Sequence, residues 1–71
     1  MEIGDKEKKI IEILIQEDEL ATTKISFLIS SNLYQTEFYL NNLLNLNIIT
    51  KEERNNATYW KLKGESVKNG I

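Results

Sequence analysis

The strongest constraint on this chain lies between residues 22 and 62, where TTKISFLISSNLYQTEFYLNNLLNLNIITKEERNNATYWKL passes from two short stretches of helical periodicity straight into a two-stranded alternation around Asn55-Asn56. Apolar residues three and four apart line one face of a helix, and apolar residues two apart line one face of a strand. Asparagine tolerates the left-handed backbone that a two-residue turn demands, so an Asn-Asn pair between alternating segments reads as a hairpin. With a longer helix ahead of it, the order predicts an α+β domain of three helices and a C-terminal β-hairpin, closed over one small core.

Seventy-one residues make one domain, and a domain of that size buries only roughly 60 % of its unfolded surface, so each apolar position counts. The domain is expected over residues 1–63, with GESVKNGI at 64–71 as a frayed tail or one short turn. The sequence holds no cysteine and no histidine, which removes disulfides, a thiolate nucleophile, an imidazole base and an ordinary zinc site. Asp, Glu, Lys, Ser and Tyr are present, but none is spaced as a catalytic constellation. A binding protein is therefore expected, with no enzymatic activity, no cofactor and no metal. The absence of a leader-like or membrane-length apolar run predicts a soluble, cytoplasmic protein with no membrane partner.

The formal net charge of −2 conceals an asymmetry. Residues 1–23 carry three lysines against seven acids, a net of −4, whereas residues 24–71 carry six bases against four acids, a net of +2. Acid is concentrated in the first helix and at Glu17-Asp18-Glu19. Such polarity would orient the basic half towards a polyanion.

The first helix is expected from Lys6 to Glu17, capped by Asp5, with Ile10, Ile13 and Leu14 on one face. Ile11 and Ile15 form a second stripe, for the core or for a partner chain. Leu20-Ala21-Thr22 is placed as a short third strand beside the hairpin. Thr22 or Thr23 caps a second helix, Lys24 to Ser30, with Ile25, Leu28 and Ile29 inward. Ser30-Ser31-Asn32 forms the turn, and Asn32 with Gln35 has the form of a capping box that starts the third helix.

On the third helix Leu33, Thr36, Leu40, Leu43, Leu44 and Asn47 form the core stripe, flanked by Tyr39 and Leu46. Tyr34, Gln35, Glu37, Phe38, Asn41, Asn42 and Asn45 occupy the opposite face. Amide side chains suit adenine edges and aromatic rings suit thymine methyls, so Tyr34, Gln35, Phe38, Asn41 and Asn42 are the candidate base-reading residues. The same face admits two other uses: asparagines that only keep the helix soluble, and a Phe38-Tyr34 anchor for another protein. No lysine or arginine lies between Asn32 and Ile49. Phosphate contacts therefore fall to Lys24, to the hairpin residues Lys51, Arg54, Lys61 and Lys63, and to Lys68 in the tail.

The Asn55-Asn56 turn sets the hairpin register, pairing Arg54 with Ala57, Lys51 with Trp60 and Ile49 with Leu62. Ile49, Trp60 and Leu62 then share the inner face, with the tryptophan as a packing residue.

On these residues the stretch Thr22–Lys63 resembles the winged helix-turn-helix of small bacterial, archaeal and viral transcription regulators of the MarR-like and ArsR-like kind. Two leucines three apart, a helix-ending glycine, an apolar pair and a hairpin closing on two aromatics and a leucine recur there. They stand here as Leu40, Leu43, Asn47, Ile48-Ile49 and Tyr59-Trp60-Lys61-Leu62. Asn47 replaces the glycine, and Ser30-Ser31-Asn32 replaces the usual glycine, apolar residue and serine of the turn. The resemblance implies double-stranded DNA as partner, the third helix in the major groove, the wing on backbone or minor groove, and a homodimer. Ile3, Ile11, Ile15, Val67 and Ile71 are the apolar residues left over for dimerisation. The alternative use of the fold is a protein-interaction module, docking through Phe38, Tyr34 and the Ile11-Ile15 stripe. Domains that bind left-handed DNA share the architecture and a tryptophan near the wing's end, as at Trp60, but Leu33, Glu37 and Asn41 stand where they use lysine, asparagine and tyrosine.

Overall fold

A computed structural model describes residues 3–64. The chain runs α1 (Asp5–Glu17), β1 (Glu19–Ala21), α2 (Thr22–Leu28), α3 (Leu33–Asn45), β2 (Ile49–Arg54) and β3 (Ala57–Leu62). The three strands form one antiparallel sheet in the order β1-β3-β2. Among the described residues, no helix is long and apolar enough to cross a membrane. The tail positions Lys68, Val67 and Ile71 lie outside the described residues.

The hairpin forms in the register expected, with Ile49 opposite Leu62, Lys51 opposite Trp60 and Arg54 opposite Ala57. Asn55 and Asn56 adopt φ of 49° and 64°, the paired left-handed conformation of a type I′ turn whose twist matches the flanking strands. The third strand also forms, one residue earlier than expected, with Leu20 opposite Trp60.

Two helices end in the same way, on a non-glycine residue in the left-handed region. Ser30 (φ 55°) follows α2, with Ser30 N–H donating to the Phe27 carbonyl at 3.2 Å and Ser31 N–H to that of Ser26 at 3.0 Å. Asn47 (φ 62°) follows α3, with Asn47 N–H donating to Leu44 at 2.9 Å and Ile48 N–H to Leu43 at 3.0 Å. Both patterns are Schellman motifs, which satisfy the last carbonyls and turn the chain sharply. The first of them sets the angle between α2 and α3.

Helix starts depart from expectation. Gly4, not Asp5, caps α1, and the Glu7 side chain reaches back to accept the Gly4 N–H at 2.9 Å. Asn32 caps α3 by accepting the Gln35 N–H at 2.7 Å, which is half of the expected box. Neither Thr22 nor Thr23 caps α2; Ala21 holds that position and Thr22 is already helical. The Thr22 hydroxyl is used instead in the core, accepting the Trp60 indole N–H at 2.7 Å and donating to the Thr58 carbonyl at 3.4 Å. A buried indole N–H without a partner carries a desolvation penalty, and this threonine removes it. Thr22→Val should therefore cost about 1–3 kcal/mol with little change of shape, visible as a lower urea midpoint followed by Trp60 fluorescence.

The core gathers Ile10 and Leu14 from α1, Ile25 and Ile29 from α2, Leu40 and Leu43 from α3, Ile49 from β2 and Trp60 from β3. Thr36 is fully buried and donates back to the Asn32 carbonyl at 2.8 Å, so its hydroxyl is satisfied within the helix. Ile11, Ile13, Tyr39, Leu44 and Leu62 pack around this centre. Leu33 and Asn47 depart from the expected core stripe: Leu33 stands 44 % exposed at the start of α3, and Asn47 is exposed just past its end. Ile15 is 60 % exposed on the outer side of α1.

Candidate nucleic-acid interface

Steps of four, three and four residues keep side chains on one line along a helix, and on α3 that line runs Tyr34, Phe38, Asn41, Asn45. All four are exposed, Tyr34 by 82 % and Phe38 by 61 %. Gln35 and Glu37 flank the line and are exposed as well. Phe38 meets the ring of half-buried Tyr39 edge-on, with centroids 6.1 Å apart, which supports it from behind without covering it.

Asn42 does not join this face. It is half-buried and its amide donates to Glu7 Oε2 at 3.1 Å. Glu7, itself buried, holds the α1 N-terminus through its other oxygen. The Asn42-Glu7 bond ties α1 to α3 across 35 residues of chain and leaves Asn42 a structural job. Beside it, Lys6 Nζ donates to the Ile29 carbonyl and links the α1 start to the end of α2.

Sequence reasoning overlooked Phe27. It sits on α2, two positions from inward-facing Ile25, and is 75 % exposed. Lys24 Nζ lies 5.9 Å from its ring centroid, a cation held beside an exposed aromatic. Period alone would have flagged Phe27, since positions two apart on a helix point to different sides.

The hairpin places its cations unevenly. Lys51 is exposed, with its Nζ 5.7 Å from the Trp60 ring centroid. Lys61 and Lys63 are exposed near the base of the hairpin. Arg54, one of the expected phosphate contacts, is folded back over the outer face of the sheet. Its guanidinium lies 4.4 Å from the Tyr59 ring centroid, pairs with Glu19 of β1, and comes within 3.8 Å of Glu52. The hydrogen bond that Arg54 donates to Glu19, with the neighbouring negative charge, raises the Arg54 pKa further above its already high value. The contact is solvent-exposed, and an exposed pair of this kind contributes modestly.

No protein-family model matches the chain, and no curated protein matches it in sequence. Solved structures do match in shape. A homodimeric winged helix-turn-helix DNA-binding domain from Mycobacterium bovis, of a possible ArsR-family transcriptional regulator, has a TM-score of 0.84 at 21 % identity, over 93 % of this chain and 60 % of that one. ZitR of Lactococcus lactis, a zinc-responsive MarR family member, has a TM-score of 0.82 at 14 % identity, over 96 % of this chain and 49 % of that one. The Zα domain of Carassius auratus PKZ, in complex with Z-DNA, has a TM-score of 0.73 at 24 % identity, over 80 % of this chain and 90 % of that one. The chain thus spans half to three-fifths of the length of the two regulators. In topology and in these likenesses alike, the chain is a winged helix-turn-helix domain, with α2 and α3 as the helix-turn-helix and the β2-β3 hairpin as the wing.

Proposed function

We propose that this domain binds double-stranded DNA and serves as a transcription regulator, laying α3 in the major groove with the wing against the backbone. The observation that carries the proposal is the α3 outer line itself. Tyr34, Phe38, Asn41 and Asn45 are exposed on the helix that a helix-turn-helix inserts into the groove. The regulators that share the fold support it. Gln35 and Asn41 present amides for adenine, Tyr34 and Phe38 present rings, and Lys24, Lys51, Lys61 and Lys63 supply charge for phosphates. Arg54 joins that set on leaving Glu19. Asn42, held by Glu7, is not among the base-reading residues. A homodimer is part of the proposal, supported by exposed Ile15 on α1 and by the homodimeric M. bovis domain. The protein is placed in the cytoplasm, with no metal and no catalytic step.

A protein-docking role is the second reading, favoured by the exposure of Phe27, Tyr34 and Phe38 together. Left-handed DNA is not adopted as the target. The Zα likeness carries the fold, while Leu33, Glu37 and Asn41 depart from the side chains such domains use.

Fluorescence anisotropy against a mixed A·T-rich duplex pool, at several salt concentrations, tests the proposal. Affinity should fall along a straight line of log K against log salt, as counterion release requires. Absence of binding at low salt would transfer the aromatic face to the protein-docking reading.

A further inference from the structure

The helix-turn-helix presents four large apolar side chains to solvent: Phe27 on α2, Leu33 at the start of α3, and Tyr34 and Phe38 on its outer line. Between Asn32 and Ile49 there is neither lysine nor arginine. We infer that this face recognises thymine through its C5 methyl group, so that the target is an A·T-rich duplex read by apolar contact in the major groove. The inference rests on the DNA-binding proposal above and names the chemistry of that same site.

Three observations converge on it. First, the commonest specific contact to guanine is a bidentate arginine or lysine on O6 and N7, and α3 has no such side chain to offer. Second, its exposed amides, Gln35 and Asn41, match the adjacent donor and acceptor of adenine N6 and N7. Third, the thymine methyl is the one apolar group on the floor of the major groove. A ring pressed against guanine and cytosine edges instead would strip water from O6, N7 and N4 and give no hydrogen bond in return. Tyr34 and Phe38 occupy the N-terminal half of the outer line, and the N-terminal residues of a recognition helix are the ones that reach the base edges. Edge contact with Tyr39 keeps Phe38 in place before any ligand arrives. Charge agrees with a polyanion as occupant: Lys24 stands beside Phe27, the half of the chain that includes this face has a net of +2, and the surplus acid lies in α1 and at its exit.

Two alternating polymers separate the methyl from everything else. Poly(dA-dT) and poly(dA-dU) duplexes offer the same hydrogen-bonding edges and the same phosphates, and differ in the C5 methyl alone. Binding of each to the full chain would be measured by competition at one fixed low salt concentration. Burying a methyl group favours binding by about fourfold, so one methyl against each of two rings predicts roughly fifteenfold preference for the thymine polymer. Phe38→Ala and Tyr34→Ala should each bring the two affinities closer together, with circular dichroism unchanged because both side chains are exposed. Equal affinity of the native chain for the two polymers, or a ratio unmoved by either substitution, would overturn methyl recognition and leave DNA binding intact. No affinity for either polymer would overturn the DNA-binding proposal, and this inference with it. Loss of a dimer on Phe38→Ala, seen by light scattering, would instead assign the face to a second copy of the chain.

Discussion

Trp60→Ala should cost about 3–5 kcal/mol of stability, the range for removing a large aromatic from a packed core. Domains keep roughly 0.05–0.15 kcal/mol per residue, so a chain of this size has about 4–10 kcal/mol in all. The side chain is 3 % exposed and occupies the middle strand of the sheet, between β1 and β2, facing the core. Its removal opens a cavity in the core beside α1 and α2 and also leaves the Thr22 hydroxyl without the indole N–H it accepts. A fall of at least about 12 °C in Tm follows for a domain of this length. Circular dichroism is the measurement, because the substitution deletes the only tryptophan. Trp60→Phe should lie between the two, keeping a ring and losing the donor. A cost below about 1 kcal/mol for Trp60→Ala would mean that the indole is not the packing centre.

Salt dependence gives the second large effect. Lys24, Lys51, Arg54, Lys61 and Lys63 neutralising one phosphate each would give a log-log slope of about −4.5 per protomer. Affinity would then fall several-hundredfold between 50 and 200 mM salt, by about the same scaling. Lys24→Gln, Lys51→Gln and Lys63→Gln combined should reduce the slope to about −2, and the fall to roughly tenfold. All three lysines are exposed, so the fold should survive. A native slope nearer −3.6 would indicate, at about 0.9 per contact, that Arg54 stays with Glu19 in the complex. A slope that the triple variant leaves unchanged would remove these lysines from the interface.

Local signals made much of the fold legible. The Asn55-Asn56 turn fixed the hairpin register because a two-residue loop permits few alternatives, and the type I′ geometry needs the very residues present. The inward positions of the three helices followed from spacing, as Ile10, Leu14, Ile25, Ile29, Leu40 and Leu43 show. Asn47 ended α3 in the left-handed conformation expected of it. Errors arose where one side chain had two plausible uses. Thr22 suits a helix cap by type, yet it lies beside the indole of Trp60, 38 residues away in sequence, and satisfies that donor. Asn42 falls within the polar arc of α3 by angle, but Glu7 on another helix draws its amide inward.

Of the candidate site, the exposed line on α3 was readable from periodicity, and Phe27 would have been with the same test applied to α2. The position of Arg54 was not readable. Its partners Glu19 and Tyr59 come from the two other strands, and nothing in a hairpin's own sequence says which way a long side chain on its outer face will lie. By itself the sequence determined the element order, the turn chemistry, the hairpin register and the split between acidic and basic halves, because these depend on neighbours a few residues away. Only the tertiary structure decided that Leu33 stays in solvent, that Asn42 and Thr22 serve the interior, and that Arg54 lies back on the sheet. Those outcomes depend on what chain closure brings together, at 2.7 Å for Thr22, 3.1 Å for Asn42 and 4.4 Å for Arg54, and periodicity along one segment carries no information about what a second segment places against it.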